Sequence, residues 1–158
     1  MMRDLSVFTL LAGLALSATV EPAGVPPAEA GPALTGMMQK EGTRVKDGSK
    51  TVMEIWFRTS IPAGEKSAED NVTMTGIPQG SLMGIARFPE RGSDRRGQAI
   101  KPGLYTMRLS FFPQNGDHQG VAPQRDFLVL SPLPDDKDPA ATPAYESLME
   151  MSRKASGT

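Results

Sequence analysis

There is no cysteine among the 158 residues. That excludes disulfides, cysteine-ligated zinc, a thiol nucleophile and a lipidated N-terminal cysteine. Histidine occurs once, at His118, so no site built from several imidazoles can form. Aromatic residues are scarce: one Trp, two Tyr and six Phe. Neither sign of charge dominates, with 17 Lys and Arg against 18 Asp and Glu. The chain therefore lacks the basic patch by which proteins hold nucleic acid or an anionic membrane. No G-x-S-x-G elbow is present, nor a G-x-G-x-x-G or a Gly-Lys-Ser/Thr phosphate loop.

Long apolar runs are also missing, apart from one at the N-terminus. Arg3 precedes an uncharged stretch from Leu5 to Val20 that has the form of a secretory signal. It is shorter than the ~20 residues that span a bilayer. Ala15 and Ser17 fit cleavage before Ala18, and Ala28-Glu29-Ala30 offers a second cut. Residues 1–20 are thus expected to be a signal peptide, with no stable membrane span left after cleavage; a retained membrane anchor is the alternative. Residues 21–42, carrying Pro22, Pro26, Pro27 and Pro32 among Ala and Gly, show no apolar period and suggest a flexible linker. A cysteine-free exported chain fits a bacterial periplasm or exterior and must be stable through packing alone.

What the chain does contain is turns and short alternating segments. Sixteen glycines and fourteen prolines suit a loop-rich β protein. Asp47-Gly48 separates Thr43–Lys46 from Thr51–Arg58 and predicts a tight hairpin. In the second arm Met53, Ile55 and Phe57 alternate with Val52, Glu54 and Trp56, so both faces are partly apolar and the strand should be central. Val72–Thr75 is a candidate short strand. Ser81–Phe88 predicts the next, with Gly84 marking a bulge or a close backbone approach. After Lys101-Pro102-Gly103, a strand places Tyr105, Met107, Leu109 and Phe111 on one face. Asp126–Leu130 is the last strand of a domain over residues 43–132. Residues 133–158 form an acidic connector and a helix, opened by Thr142-Pro143, with Tyr145, Leu148 and Met149 on its packing face.

Candidate sites are few. Asn115, Asp117 and His118 lie in a glycine-rich loop, where ligand recognition, a general base or a plain Asn-Gly turn are the alternatives. A hydrolase would have to use Asp117 and His118. Arg91, Arg95 and Arg96 cluster in the loop 89–99 and could contact an anion, although Glu90 and Asp94 lie among them. Asp135, Asp136 and Asp138 lack the central glycine and distal glutamate of a calcium loop and fit a solvated connector. Ten methionines raise the question of copper. However, Met149 and Met151 are two apart on a helix and point about 200° away from each other, while Met53, Met83 and Met107 suit a core. Trp56 is a sugar platform if exposed and a core residue if buried.

Pro102, Gly103, Tyr105 and Leu109 spell a Pro-Gly-x-Tyr-x-x-x-Leu pattern. With the strand ending at Leu130, this region resembles the final hairpin of small secreted bacterial β-sandwich domains of the immunoglobulin-like or transthyretin-like kind. The resemblance implies a buried Tyr105 whose hydroxyl ties down the preceding turn. It carries over no catalytic residue. The expectation is an all-β antiparallel sandwich of about five to seven strands with a short C-terminal helix. Its expected role is that of an exported, non-enzymatic binding or accessory domain of the cell envelope, without a cofactor. The partner would be a protein or an envelope polymer, met by the loops 89–99 and 113–125 at one end of the sandwich. A copper-handling periplasmic protein and an Asp117/His118 hydrolase are the alternatives.

Overall fold

A computed structural model describes residues 18–66, 71–94, 96–113 and 124–157. The fold is all-β with a C-terminal helix. β1 (Ala18–Gly24), β2 (Gly42–Asp47), β3 (Lys50–Phe57) and β4 (Leu82–Phe88) are followed by a two-stranded ribbon of β5 (Gly92–Ser93) and β6 (Ala99–Ile100). Next come β7 (Gly103–Phe111) and β8 (Asp126–Pro132). Six of these strands form one antiparallel sheet in the order β1-β2-β3-β4-β7-β8. Among the described residues no second large sheet closes over it. Helical segments cover its faces instead, so two-layer β closure remains an expectation of the resemblance only.

Residues 21–42 are not a linker. β1 pairs along its length with β2, a 3-10 turn forms at Ala28–Ala30, and α1 (Pro32–Thr35) follows. Ala30, Leu34 and Met38 are buried against Trp56, Leu82 and Ile85, building the core on one face of the sheet. A strand this exposed, paired on one side only, lacks the alternation that announces a half-buried strand, and prolines break the period that follows it. Ala18 to Val20, expected to end the signal peptide, also lie in β1, whereas residues 1–17 are outside the described set.

The hairpin at Asp47 forms as expected, with Asp47 opposite Lys50 and Gly48 at φ 57°. β3 is central, between β2 and β4. Trp56 is 1% exposed and its indole N–H donates to the Gly24 carbonyl at 2.8 Å. The structure thus makes Trp56 a core residue rather than a platform. Gly42 runs so close beneath the ring that a Cβ there would lie 2.4 Å from the indole nitrogen. Gly84 serves both roles foreseen for it. The β4–β7 register shifts between Leu82 and Gly84, and a Cβ on Gly84 would meet the Trp56 carbonyl at 2.4 Å. Residues 72–75 are not a strand; the Asp126 carboxylate holds them by accepting from the Thr73 and Met74 amides at 2.7–2.9 Å.

The opposite face is built around Tyr105. Its ring is 3% exposed and meets Phe88 edge-on at 5.9 Å. Ala86, Met107 and Ala155 complete this cluster. The hydroxyl donates to the Lys101 carbonyl at 2.7 Å, tying down the turn that precedes the strand. α2 (Tyr145–Ser156) packs on β8 and β6, with Leu148 and Ala155 buried. It starts two residues later than Thr142-Pro143 predicts; Ala144 holds the N-cap position without a side-chain bond, and Tyr145 and Met149 are half-buried.

One row of charges crosses four strands in register: Glu21, Arg44, Glu54 and Arg87. Arg44 bridges Glu54 at 2.8 Å and Glu21 at 3.0 Å. Arg87 reaches Glu54 at 3.6 Å and Glu29 at 3.5 Å. The hydrogen bond from Arg44 holds the Glu21 carboxyl below its usual 4.5; burial opposes this shift and Lys46 adds to it.

Two predictions follow from these contacts. Tyr105→Phe should cost about 1 kcal/mol in urea unfolding, the net value of one hydrogen bond, with the sheet retained by circular dichroism. Because the Glu21 pKa is depressed, its contribution to stability is present above pH 4.5 and lost as the pH falls through the lower folded value. Glu21→Gln should therefore shrink the acid-side loss of stability seen in denaturant titrations below about pH 4.5, while leaving the alkaline side unchanged.

Candidate functional site

Of the six residues singled out for ligand contact, Asn115, Asp117, His118 and Arg95 lie outside the described residues. Arg91 and Arg96 are exposed. The two loops expected to share one end of the domain do not. The 89–99 segment enters β7 at Gly103, and 113–125 leaves it after Phe111, so they are rooted at opposite ends of a nine-residue strand, roughly 26 Å apart. Antiparallel pairing of β4, β7 and β8 requires this, since consecutive connections alternate between the two ends of a sheet. The 89–99 segment is also more than a loop: β5 and β6 pair within it, and the Asp94 carboxylate accepts from the amides of Arg96 at 2.9 Å and Gln98 at 2.7 Å. That Asx turn fixes where the Arg96 backbone lies.

A groove connects the two ends. Its volume is about 710 Å³, and it runs between α2 and β8, the last strand of the sheet. Phe112 and Phe127 stack at 4.2 Å and line it near the start of β8. Leu128, 42% exposed, and Met149 contribute apolar surface. Arg96 and Arg153 supply positive charge, and Asp94, Glu146 and Glu150 supply negative charge. Phe127 through Leu130 all contribute to the wall, so the groove follows the strand itself and not only one face of it. Arg91 does not line it.

The groove owes its position to a buried ion pair on the other side of β7. Arg108 is 0% exposed. Its Nε and Nη2 donate to the two carboxylate oxygens of Asp136 at 2.6 and 2.8 Å. Nη1 donates to the carbonyls of Gly80 and Ala141 at 2.9 and 2.5 Å, and Nη2 also donates to Asp138 at 2.7 Å. Thr106 donates its hydroxyl to the same Asp136 carboxylate at 2.5 Å. Asp136 therefore does not belong to a solvated connector. It is 5% exposed and anchors the segment that leads from β8 to α2. Asp135 by contrast sits at the surface and pairs with Lys154 of α2 at 2.8 Å. Among the described residues no three His, Asp or Glu side chains come together as metal ligands.

Sequence reasoning missed both the groove and the pair. The groove draws on the β5–β6 ribbon, β8 and α2, so no contiguous motif encodes it. Arg108 lies on the strand face opposite Tyr105, Met107 and Leu109, and nothing next to it in the chain names its partner. The one available signal was that Thr106, Arg108 and Ser110 share a strand flanked on both sides, where a charge must find a buried partner.

No protein-family model, no curated protein and no solved structure matches this chain.

Arg108→Met and Asp136→Asn should each destabilise the protein by about 3–5 kcal/mol, since each leaves a buried polar partner uncompensated. The double change Arg108→Met with Asp136→Leu should recover part of that loss in urea denaturation. A loss below about 1 kcal/mol for both single variants would show that the pair does not hold the connector in place.

Proposed function

We propose that this protein is an exported, non-enzymatic binding module of the bacterial cell envelope, and that its ligand lies in the groove between α2 and β8. The observation that carries this reading is the groove itself. Its volume falls within the ~300–1,000 Å³ of ligand sites, and its apolar floor with few convergent charges is the usual composition of such sites. Its length along a terminal strand suits an extended segment, either of a partner protein or of an envelope polymer. Of the residues first considered for recognition, Arg96 takes part directly, and Arg153 of α2 joins it.

A binding role is favoured over catalysis by what the charged side chains do. Arg108 and Asp136 saturate each other and nearby carbonyls, Asp126 caps residues 73 and 74, and Asp94 closes a turn. Their hydrogen-bonding capacity goes to holding the fold, and Arg96, Glu146, Glu150 and Arg153 of the groove are left as recognition groups. Export is supported by the leader composition.

A photocrosslinking residue placed at Met149 should give discrete adducts in intact cells, and the same residue at exposed Thr19 should not. Adding Leu128→Asp, which puts a charge in the groove floor, should abolish the Met149 adducts without changing the melting temperature by more than a few degrees. Adducts equally strong at Thr19, or adducts insensitive to Leu128→Asp, would overturn the assignment. Digestion of the adducts by protease or by glycan hydrolase tells the two partner classes apart.

A further inference from the structure

β1, β2 and β3 sort their side chains by kind. One face holds the paired charges Glu21, Arg44 and Glu54, with Ala23 packed on the Trp56 cluster beside them. The other face is apolar. Residues directly opposite in an antiparallel pair share a face, so the register gives its rows. Val20, Val45 and Met53 make the first. Pro22, Thr43 and Ile55 make the second, which continues through Ala86 to Tyr105. Phe57, opposite Gly84, begins the third.

These rows run from the Tyr105 core out into solvent. Ala86 and Tyr105 are buried, and Val45, Met53 and Ile55 are half-buried. Val20 and Phe57 are 71% and 44% exposed. The cover on this face is one-sided. α2 packs on β8 and β6, and the β5–β6 ribbon comes close to Phe88 at Gly92. Over β1–β3 the face is open. The apolar face of a sheet is normally buried against a second layer, and an exposed apolar patch marks an interaction surface.

The geometry points to a second copy of this chain as that layer, two molecules packing face to face through β1–β3 about a twofold axis. Charge selects this occupant. Between the Asp47 hairpin and Phe57 the face carries no ionisable side chain, so the patch meets its own image without like-charge repulsion. Charge returns only at the hairpin, as Asp47 opposite Lys50, and Lys50 bridges Glu90 at 2.8 Å. A rim that carries both signs is complementary to its twofold image. Shape agrees. Three strands ~4.8 Å apart and seven residues long at ~3.3 Å each make a surface of roughly 14 by 23 Å. A broad pleated surface of that kind fits another sheet about 10 Å away. An interface of this size falls below the ~1,200 Å² of standard complexes, so the dimer is a weak one in exchange with monomer. The surface is separate from the groove, whose walls are β8, α2 and the β5–β6 ribbon, and either reading can fail alone.

Sedimentation equilibrium of the protein purified from expression of the full chain tests this. Between about 1 and 500 µM the average mass should rise from that of one chain towards that of two, with a Kd of roughly 10–100 µM. Val20→Glu and Phe57→Glu, both at exposed positions, should each weaken association at least tenfold with circular dichroism unchanged. Val25→Glu, at a residue 73% exposed outside the three rows, should leave the Kd within twofold, as should Leu128→Asp in the groove. The chain has no cysteine, so Thr43→Cys, exposed in the middle row, should yield a covalent dimer with a bis-maleimide that spans the ~10 Å between packed sheets. A single-chain mass at every concentration would refute the proposal. So would association that survives both Val20→Glu and Phe57→Glu.

Discussion

The Arg108–Asp136 pair is the constraint on which the rest of the molecule is arranged. A guanidinium with no solvent exposure forfeits its hydration, a loss of several kcal/mol that Coulomb attraction alone does not reliably offset. What offsets it here is complete satisfaction. Arg108 bonds the Asp136 carboxylate through two nitrogens and also reaches the carbonyls of Gly80, Asp138 and Ala141. Those of Asp138 and Ala141 belong to a stretch that lies outside the strands. Residues 138–144 contain Pro139 and Pro143, which have no amide protons to donate, so the segment cannot pair as a strand along its length. A hydrophobic residue at position 108 would fill the volume but would remove the donors that Arg108 supplies to the Gly80 and Ala141 carbonyls. The charge organises irregular backbone, which apolar packing cannot do.

That arrangement sets the two ends of the sheet apart. At one end β8 continues into Leu133–Asp135, is pinned at Asp136, and returns as α2 packed on β8 itself. At the other end β1 carries Pro22 and is held by the charge row that begins at Glu21. Both are recognised ways of keeping an open strand edge from pairing with another molecule. They differ in consequence. A proline and a charge row leave β1 plain and accessible, whereas a helix laid beside β8 creates a concavity. The groove is therefore a by-product of edge protection, and its shape follows from where the buried pair allows α2 to begin.

How far the sequence revealed this depends on how local each determinant is. The Asp47 hairpin, the Gly84 irregularity and the Tyr105 strand were legible because turn chemistry and a period of two act over a few residues. Tyr105 went further, since its hydroxyl bond to Lys101 spans only four positions. β1 was hidden for a physical reason: an exposed edge strand buries little on either face, so it needs no apolar alternation. Asp136 was hidden because three acidic residues in a row of four look solvated when only neighbours are considered. Its partner is 28 positions away on another strand. The expectation that the loops 89–99 and 113–125 share one end failed on connectivity, since one precedes β7 and the other follows it.

The same connectivity gives the groove its chemical character. One end lies by the β5–β6 ribbon, where Asp94 fixes the backbone next to Arg96; near the start of β8 lies the stacked pair Phe112 and Phe127. α2 bridges them with Glu146, Glu150 and Arg153 along one flank. A site assembled this way presents apolar floor and charged rim in a fixed order along a strand. Under the binding role proposed above, such a site would discriminate ligands by the spacing of their groups, because a rigid strand and helix hold its own spacing. Loops rooted at opposite ends of β7 could not do this without a scaffold between them. The edge of the sheet provides that scaffold, which is why the proposed binding role is placed on β8 and α2 and not on the loop tips.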